Sequence, residues 1–124
     1  MALLDALDAI ARFESGRQPY IGFGDIDLTG RPLDQYGFPI WSGVGTSLGV
    51  THAAGLYQFE PATWRGYAML LGAWNFSVAT QNAVAALCFT HQGFQPWAPY
   101  DSKLAAFIAA NGGPSAFGLV MSVG

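Results

Sequence analysis

Apolar positions recur at Leu3, Leu7 and Ile10, and the next position of that stripe holds Glu14. Asp5, Asp8 and Arg12 fall on the opposite side, so the i, i+4, i+7 spacing predicts an amphipathic helix over 3–14. It ends where Ser15 and Gly16 let the chain turn away, which leaves a carboxyl where an aliphatic side chain would fit. From Tyr20 to Val50 the helical period disappears. Glycines stand at 22, 24, 30, 37, 43, 45 and 49, between short apolar pieces such as Ile21–Phe23 and Phe38–Trp41. This predicts an irregular, β-rich excursion over about 20–50 with a small hairpin turning near Thr29 and Gly30. Helical periodicity returns at Pro61, a good first-turn residue, with Trp64, Tyr67, Ala68 and Leu71 as a core stripe stopped by Gly72. Ser77 starts the next helix, whose stripe is Val84, Leu87, Cys88 and His91. Asp101 caps another that runs through Leu104, Phe107 and Ile108 to Gly112. The tail from Ser115 has room for one or two further turns.

The order helix, β-rich excursion, several helices predicts an α+β, mainly α domain spanning 1–124, with a small second lobe and a cleft between the lobes. A chain of 124 residues can bury a core of its own without disulfides or metal, and a monomer is the expected state. No Asp, Glu, Lys or Arg occurs between Arg65 and Asp101, so that stretch is expected to be mostly buried. The uncharged run Leu104 to Gly124 approaches the length of a membrane span. Asn111, Gly112, Gly113 and Pro114 in its middle read instead as a helix stop.

Charge narrows the partners. A formal net charge of -3, with Arg12, Arg17, Arg31, Arg65 and Lys103 scattered, excludes the clustered basic surface that nucleic acid or an anionic membrane requires. Cys88 is the single cysteine, no Cys/His spacing suits zinc, and no cofactor is implied. The first residues carry Asp5 and Asp8 where a signal peptide needs a basic start and an unbroken apolar run.

Two segments carry candidate chemistry: Glu14-Ser15-Gly16, and Ala53-Ala54-Gly55-Leu56-Tyr57-Gln58-Phe59-Glu60-Pro61-Ala62-Thr63-Trp64. Together they resemble the lysozyme superfamily. The first looks like the Glu-Ser pair that ends the catalytic helix of soluble lytic transglycosylases. The second is similar to their Gly-Leu-Met-Gln motif followed by Pro-Ala-Thr, with Tyr57 in place of Met. Phage lambda-type endolysins are closer in layout: Tyr57-Gln58 matches part of their Gly-Arg-Tyr-Gln segment. Phe76-Ser77 and Gln81-Asn82-Ala83-Val84-Ala85 look like the start of their next helix. The similarity runs in order over about residues 3–92. The Ala-Tyr-Asn motif of bacterial lytic transglycosylases has only Ala109-Ala110-Asn111-Gly112-Gly113 as a counterpart.

The resemblance implies a lysozyme-like two-lobed fold and an enzyme that cleaves peptidoglycan glycan strands at the MurNAc-GlcNAc β-1,4 bond, with Glu14 as acid and base. Independently of it, a carboxyl on an apolar face is desolvated, which raises its pKa and suits it to protonate a glycosidic oxygen near neutral pH. A helix-end glutamate could also simply reach solvent or pair with Arg17. The resemblance places Ser15, Thr51, Gly55, Tyr57 and Gln58 as substrate-binding residues. Glycine permits close backbone approach, and Tyr57 and Gln58 offer a ring face and an amide. The same strip also serves as the turn into the helix at Pro61.

Hydrolysis usually needs a second carboxylate. Asp25 and Asp27 are the candidates, both also natural turn residues, ahead of Asp34 and of Glu60, which fits a helix N-terminus. Without one, the route implied by the resemblance is lytic transglycosylation, which yields 1,6-anhydro-MurNAc ends. Of the remaining polar and aromatic residues, His52 could contact substrate, His91 is expected on a core stripe, and Phe94, Trp97 and Tyr100 are expected to pack the core rather than stack sugars. Two other classes of function stay open: a non-catalytic glycan-binding or virion structural protein, and a small membrane-active lysis protein, the latter on the mean hydropathy of +0.29. An enzyme of this kind would reach the wall through a phage holin, in a virion or within a larger protein.

Overall fold

The computed structural model describes residues 2–120. In chain order these form β1 (Leu4–Asp5), α1 (Ala6–Ser15), β2 (Ile21–Gly22), β3 (Ile26–Asp27), β4 (Val44–Thr46), β5 (Gly49–Thr51), α2 (Pro61–Leu71), α3 (Val78–Gln92), α4 (Ser102–Ala110) and β6 (Phe117–Gly118). Short 3-10 turns lie at Ala98–Tyr100 and Pro114–Ala116. The predicted mainly α, α+β layout is therefore present, with the helices gathered around one core and the excursion holding two antiparallel hairpins.

The first helix begins later than its apolar spacing predicts. Leu4 and Asp5 pair in parallel with Phe117 and Gly118, so the chain enters as a strand beside the C-terminal segment. The Asp5 carboxylate then accepts from the Asp8 amide at 3.1 Å and caps α1. Leu3, expected on the core stripe, is exposed, while Ala6, Ala9 and Ile10 are buried. At the other end Gly16 adopts φ +62°. The amides of Gly16 and Arg17 donate back to Arg12 O and Ala11 O, both at 3.1 Å, closing the helix.

The hairpins do not turn at Thr29 and Gly30. One reverses between β2 and β3, where Gly24 and Asp25 both take positive φ; the other reverses between β4 and β5 through Ser47 and Leu48. The Thr29 region is instead a local turn in which the Asp27 carboxylate accepts from the Thr29 amide at 2.9 Å, so the Asp27 side chain serves that turn and the chain does not fold back there.

Trp64 of α2 anchors the core. Rings of Phe38, Phe59 and Phe76 lie 5.8, 6.0 and 5.0 Å from it, and its indole N–H donates to Tyr36 O at 2.8 Å. Residues of the excursion and of the helices thus share one core. Ser77 caps α3 as predicted, accepting from the Thr80 amide. Asn111 ends α4, and Gly113 N–H returns to Ile108 O at 2.9 Å. Ser115 lies in the second 3-10 turn, and residues 121–124 of the anticipated tail lie outside the described residues. No described helix is long and apolar enough to cross a membrane.

Three further burial expectations fail. The charge-free stretch is not mostly buried: Leu70 is 72% and Trp74 73% exposed, and Met69, Leu71 and Val78 are exposed as well. Only Trp64 and Ala68 of α2 are fully covered, because the helix packs along one narrow face. His91 is also exposed, beside the Tyr67 ring at 5.9 Å. Of the aromatic group, Phe94 and Trp97 are core as expected, whereas Tyr100 is 82% exposed.

Candidate active site

Glu14 sits in the last turn of α1, one residue before buried Ser15. The helix is held there from outside by the Phe13 ring, 5.3 Å from Phe107 of α4, and by the Arg12 guanidinium lying over both rings. The Glu14 carboxyl is half-buried and opens into a cleft of about 300 Å³ between the end of α1 and the first hairpin. Gly22, Phe23 and Asp25 line the hairpin side, and Gln18 and Gln58 line the cleft with them. Burial, reinforced by the negative charge of Asp101 at the head of α4, pushes the Glu14 carboxyl up to about 8. Arg17 does not pair with it. That guanidinium is bound in bidentate fashion to Asp8, at 2.7 and 2.9 Å, on the outer face of α1. Among the described residues no side chain makes an ion pair with Glu14.

The strip from Ala53 to Gln58 joins the hairpin side of the cleft. Gly22 bridges to Ala54, Phe23 N–H donates to Ala53 O at 3.0 Å, and Gly55 N–H donates to Ile21 O at 2.9 Å. The Ser15 hydroxyl ties the strip to α1, 2.8 Å from Leu56 O, and accepts from the Gln18 amide at 3.2 Å. Gln58, at φ +50°, turns its side chain back toward the cleft, where its Nε2 donates to Ile21 O at 3.0 Å and Gly55 O at 2.9 Å. Glu14, Ser15, Gln58 and Asp25 are therefore brought together around one opening.

The other expected residues lie elsewhere. Tyr57 points away from Gln58 into the core: its hydroxyl donates to Asn82 at 2.6 Å, its carbonyl accepts from the Trp97 indole at 2.8 Å, and burial raises its phenol to about 12. It lines a separate groove of about 710 Å³ on the far side of α1, with Asp8, Arg17 and Asn82. Gly55, at φ +88°, is required by packing rather than by an open face toward sugar. A Cβ there would collide with the Gln81 amide oxygen and sit 2.7 Å from Phe76. Thr51 donates its hydroxyl to the Glu60 carboxylate, which also accepts from the His52 amide at 3.3 Å. That clamp sits at the base of the second hairpin and is not part of the cleft lining. Asp27 is committed to its own turn, and its bonds to Thr29 hold its carboxyl below the usual range. Asp34 likewise accepts from the Tyr36 and Phe38 amides at 2.8 and 3.0 Å.

Sequence reasoning gave Gln18, Phe23, Asp101 and Gln81 no role at the site. Asp101 was read only as a helix cap, which it is, accepting from Lys103 and Leu104 amides. The signal for Gln81 was present: an uncharged polar residue three before the buried Val84, on the same side of a helix. Among the described residues, no three His, Cys, Asp or Glu side chains gather as metal ligands would.

A hairpin lobe closing over the end of a helix that carries a half-buried glutamate, backed by a helical bundle, is a lysozyme-like fold. The chain is similar in structure to bacteriophage lambda lysozyme complexed with a chitohexasaccharide, with a TM-score of 0.56 at 24% identity, covering 77% of this chain and 69% of that one. No protein-family profile and no curated protein sequence matches the chain.

Proposed function

We propose that the protein cleaves the glycan strands of bacterial peptidoglycan at the MurNAc-GlcNAc β-1,4 bond, as a lytic transglycosylase with Glu14 as acid and then base. The observation that carries this reading is a carboxyl held neutral near pH 7, free of any cationic partner among the described residues, in a cleft open to solvent. Its likeness to a lysozyme solved with a chain of N-acetylglucosamine units supports a glycan as the substrate. Glu14 gives its proton to the glycosidic oxygen as the bond to C1 breaks. The neighbouring acetamido oxygen stabilises the developing positive charge at C1. The Glu14 carboxylate then takes the proton of the MurNAc 6-hydroxyl as that oxygen bonds to C1, which closes the 1,6-anhydro ring and returns Glu14 to its neutral form.

One observation favours hydrolysis as the second reading: Asp25 is a carboxylate on the same cleft, where it could activate a water. Digestion of purified peptidoglycan followed by mass spectrometry separates the two. Transglycosylation gives disaccharide-peptides one water lighter than the hydrolytic products, and Asp25→Asn keeps activity. Hydrolysis gives free reducing ends, and Asp25→Asn loses them. In either route Glu14→Gln is expected to lower the rate by about 10²–10⁴-fold. Binding of glycan by the folded protein without any product would assign it instead to the non-catalytic class.

A further inference from the structure

Gln81 is among the largest fully buried side chains, at 1% exposure, and it is polar. Both N–H donors of its amide and one acceptor position of the oxygen are used. Oε1 accepts from the Leu56 amide at 2.8 Å, while Nε2 donates to Pro19 O at 2.9 Å and to Phe76 O at 3.0 Å. Those three partners belong to the strip that carries Gln58, to the loop leaving α1 just after Glu14, and to the lead-in to α3. The Ser15 hydroxyl closes the figure from the other side through Leu56 O, at 2.8 Å. One side-chain amide thus joins both walls of the cleft to the rigid body of α3. Gly55 packs directly on it, since a Cβ there would meet the Gln81 amide.

We infer that Gln81 is a positioning residue that sets the separation of the Glu14 helix end from the Gln58 strip and keeps water out of the floor between them. The inference rests on the glycan-cleavage reading only where activity is the readout. A buried amide is suited to this because it donates and accepts at once without carrying charge. Three backbone groups from different segments are satisfied by a single planar group, which fixes their relative placement as no apolar side chain could. Leaving any of them unpaired incurs the desolvation cost of a buried polar group.

The test uses Gln81→Asn, which keeps the amide but shortens its reach by one methylene, and Gly55→Ala, which pushes the amide from the other side. The Glu14 carboxyl is followed by ¹³C NMR titration, independently of any activity. Asp25 from the first hairpin and Asp101 from the head of α4 are the charged groups set around Glu14, and both are untouched in the variants. The expected result is a Glu14 midpoint lowered toward that of an ordinary carboxyl in each folded variant, with kcat reduced about tenfold to a hundredfold and KM changed little. A folded variant of either kind whose Glu14 titrates as in the unaltered protein, with unchanged kcat, overturns the inference even if its melting temperature has dropped. Should both variants fail to fold, hydrogen exchange in the unaltered protein decides. The Leu56 amide is expected to exchange as slowly as the core of α3, and exchange at the rate of the exposed β4–β5 turn overturns the inference. If the unaltered protein gives no products from peptidoglycan, the catalytic reading fails while the titration still judges the role of Gln81.

Discussion

At the scale of single residues, Glu14 links stability to chemistry through one proton. The unfolded chain releases it near the ordinary value of 4.5, whereas the folded protein holds it to about 8. Between those values the native state binds one proton more than the unfolded state, so folding stability falls as pH rises through the window. Below about pH 4.5 the group is protonated in both states and contributes no difference. Urea unfolding of Glu14→Gln is expected to lack this slope, leaving the variant more stable than the parent at pH 8 by on the order of 2–4 kcal/mol and nearly equal to it at pH 4. The proposed glycan cleavage should fall on the alkaline side of its pH profile, as pH passes about 8, the point at which Glu14 ionises.

Glu14 was legible because a carboxyl interrupted an apolar stripe, a signal read directly from helical period. Tyr57 and Gln58 were not separable in the same way. They are neighbours in a tight turn in which Gln58 takes φ +50°, so one enters the core and the other the cleft, and neither strand nor helix period governs them. The role of Arg17 depended on a contact nine residues back along the chain, at Asp8, that local pattern cannot reveal.

At the scale of elements, the helices were predictable where sequence carried their punctuation: Pro61 and Gly72 bound α2, Ser77 starts α3 and Asp101 caps α4. The start of α1 was misplaced because Leu3 continues its apolar spacing, while the true boundary is set by β1 pairing with β6, more than a hundred residues away in the chain. Asp5, taken from sequence as a solvent-facing helical residue, is the cap. Asp5→Ala should therefore cost about 1 kcal/mol of stability, and Asp5→Asn or Asp5→Ser much less, as read by thermal or urea unfolding. The β hairpins were legible as a region and not as turns. Both β hairpins are only two or three residues per strand, too short for an alternation to show, and the residues with positive φ at the first turn include Asp25, which sequence does not distinguish from Asp27.

At the scale of the whole molecule, the two lobes are held together by close backbone approach as well as by the shared aromatic core. The segment Tyr36–Phe38 of the excursion lies against the link between α2 and α3. Phe38 stacks edge-on to Phe76 at 5.5 Å, and Gly37, at φ +80°, touches the link's main chain. A Cβ at Gly37 would lie 2.5 Å from the Trp74 carbonyl carbon and closer still to the Asn75 nitrogen, and backbone cannot step aside as a flexible side chain can. This explains why Trp74 can be so exposed while its neighbourhood is fixed: the link is positioned through its main chain, and its side chains are left outside. Gly37→Ala should combine backbone strain with a steric clash and destabilise by about 2–4 kcal/mol. Gly45→Ala, in the second hairpin where a Cβ would meet nothing within 4 Å, should stay within about 0.5 kcal/mol of the parent. Urea unfolding of the pair measures the difference. Equal, small effects at both positions would show that the excursion does not bear on the α2–α3 link. The placement of the hairpin above Glu14 would then rest on the Ala53–Gln58 strip and the aromatic core alone.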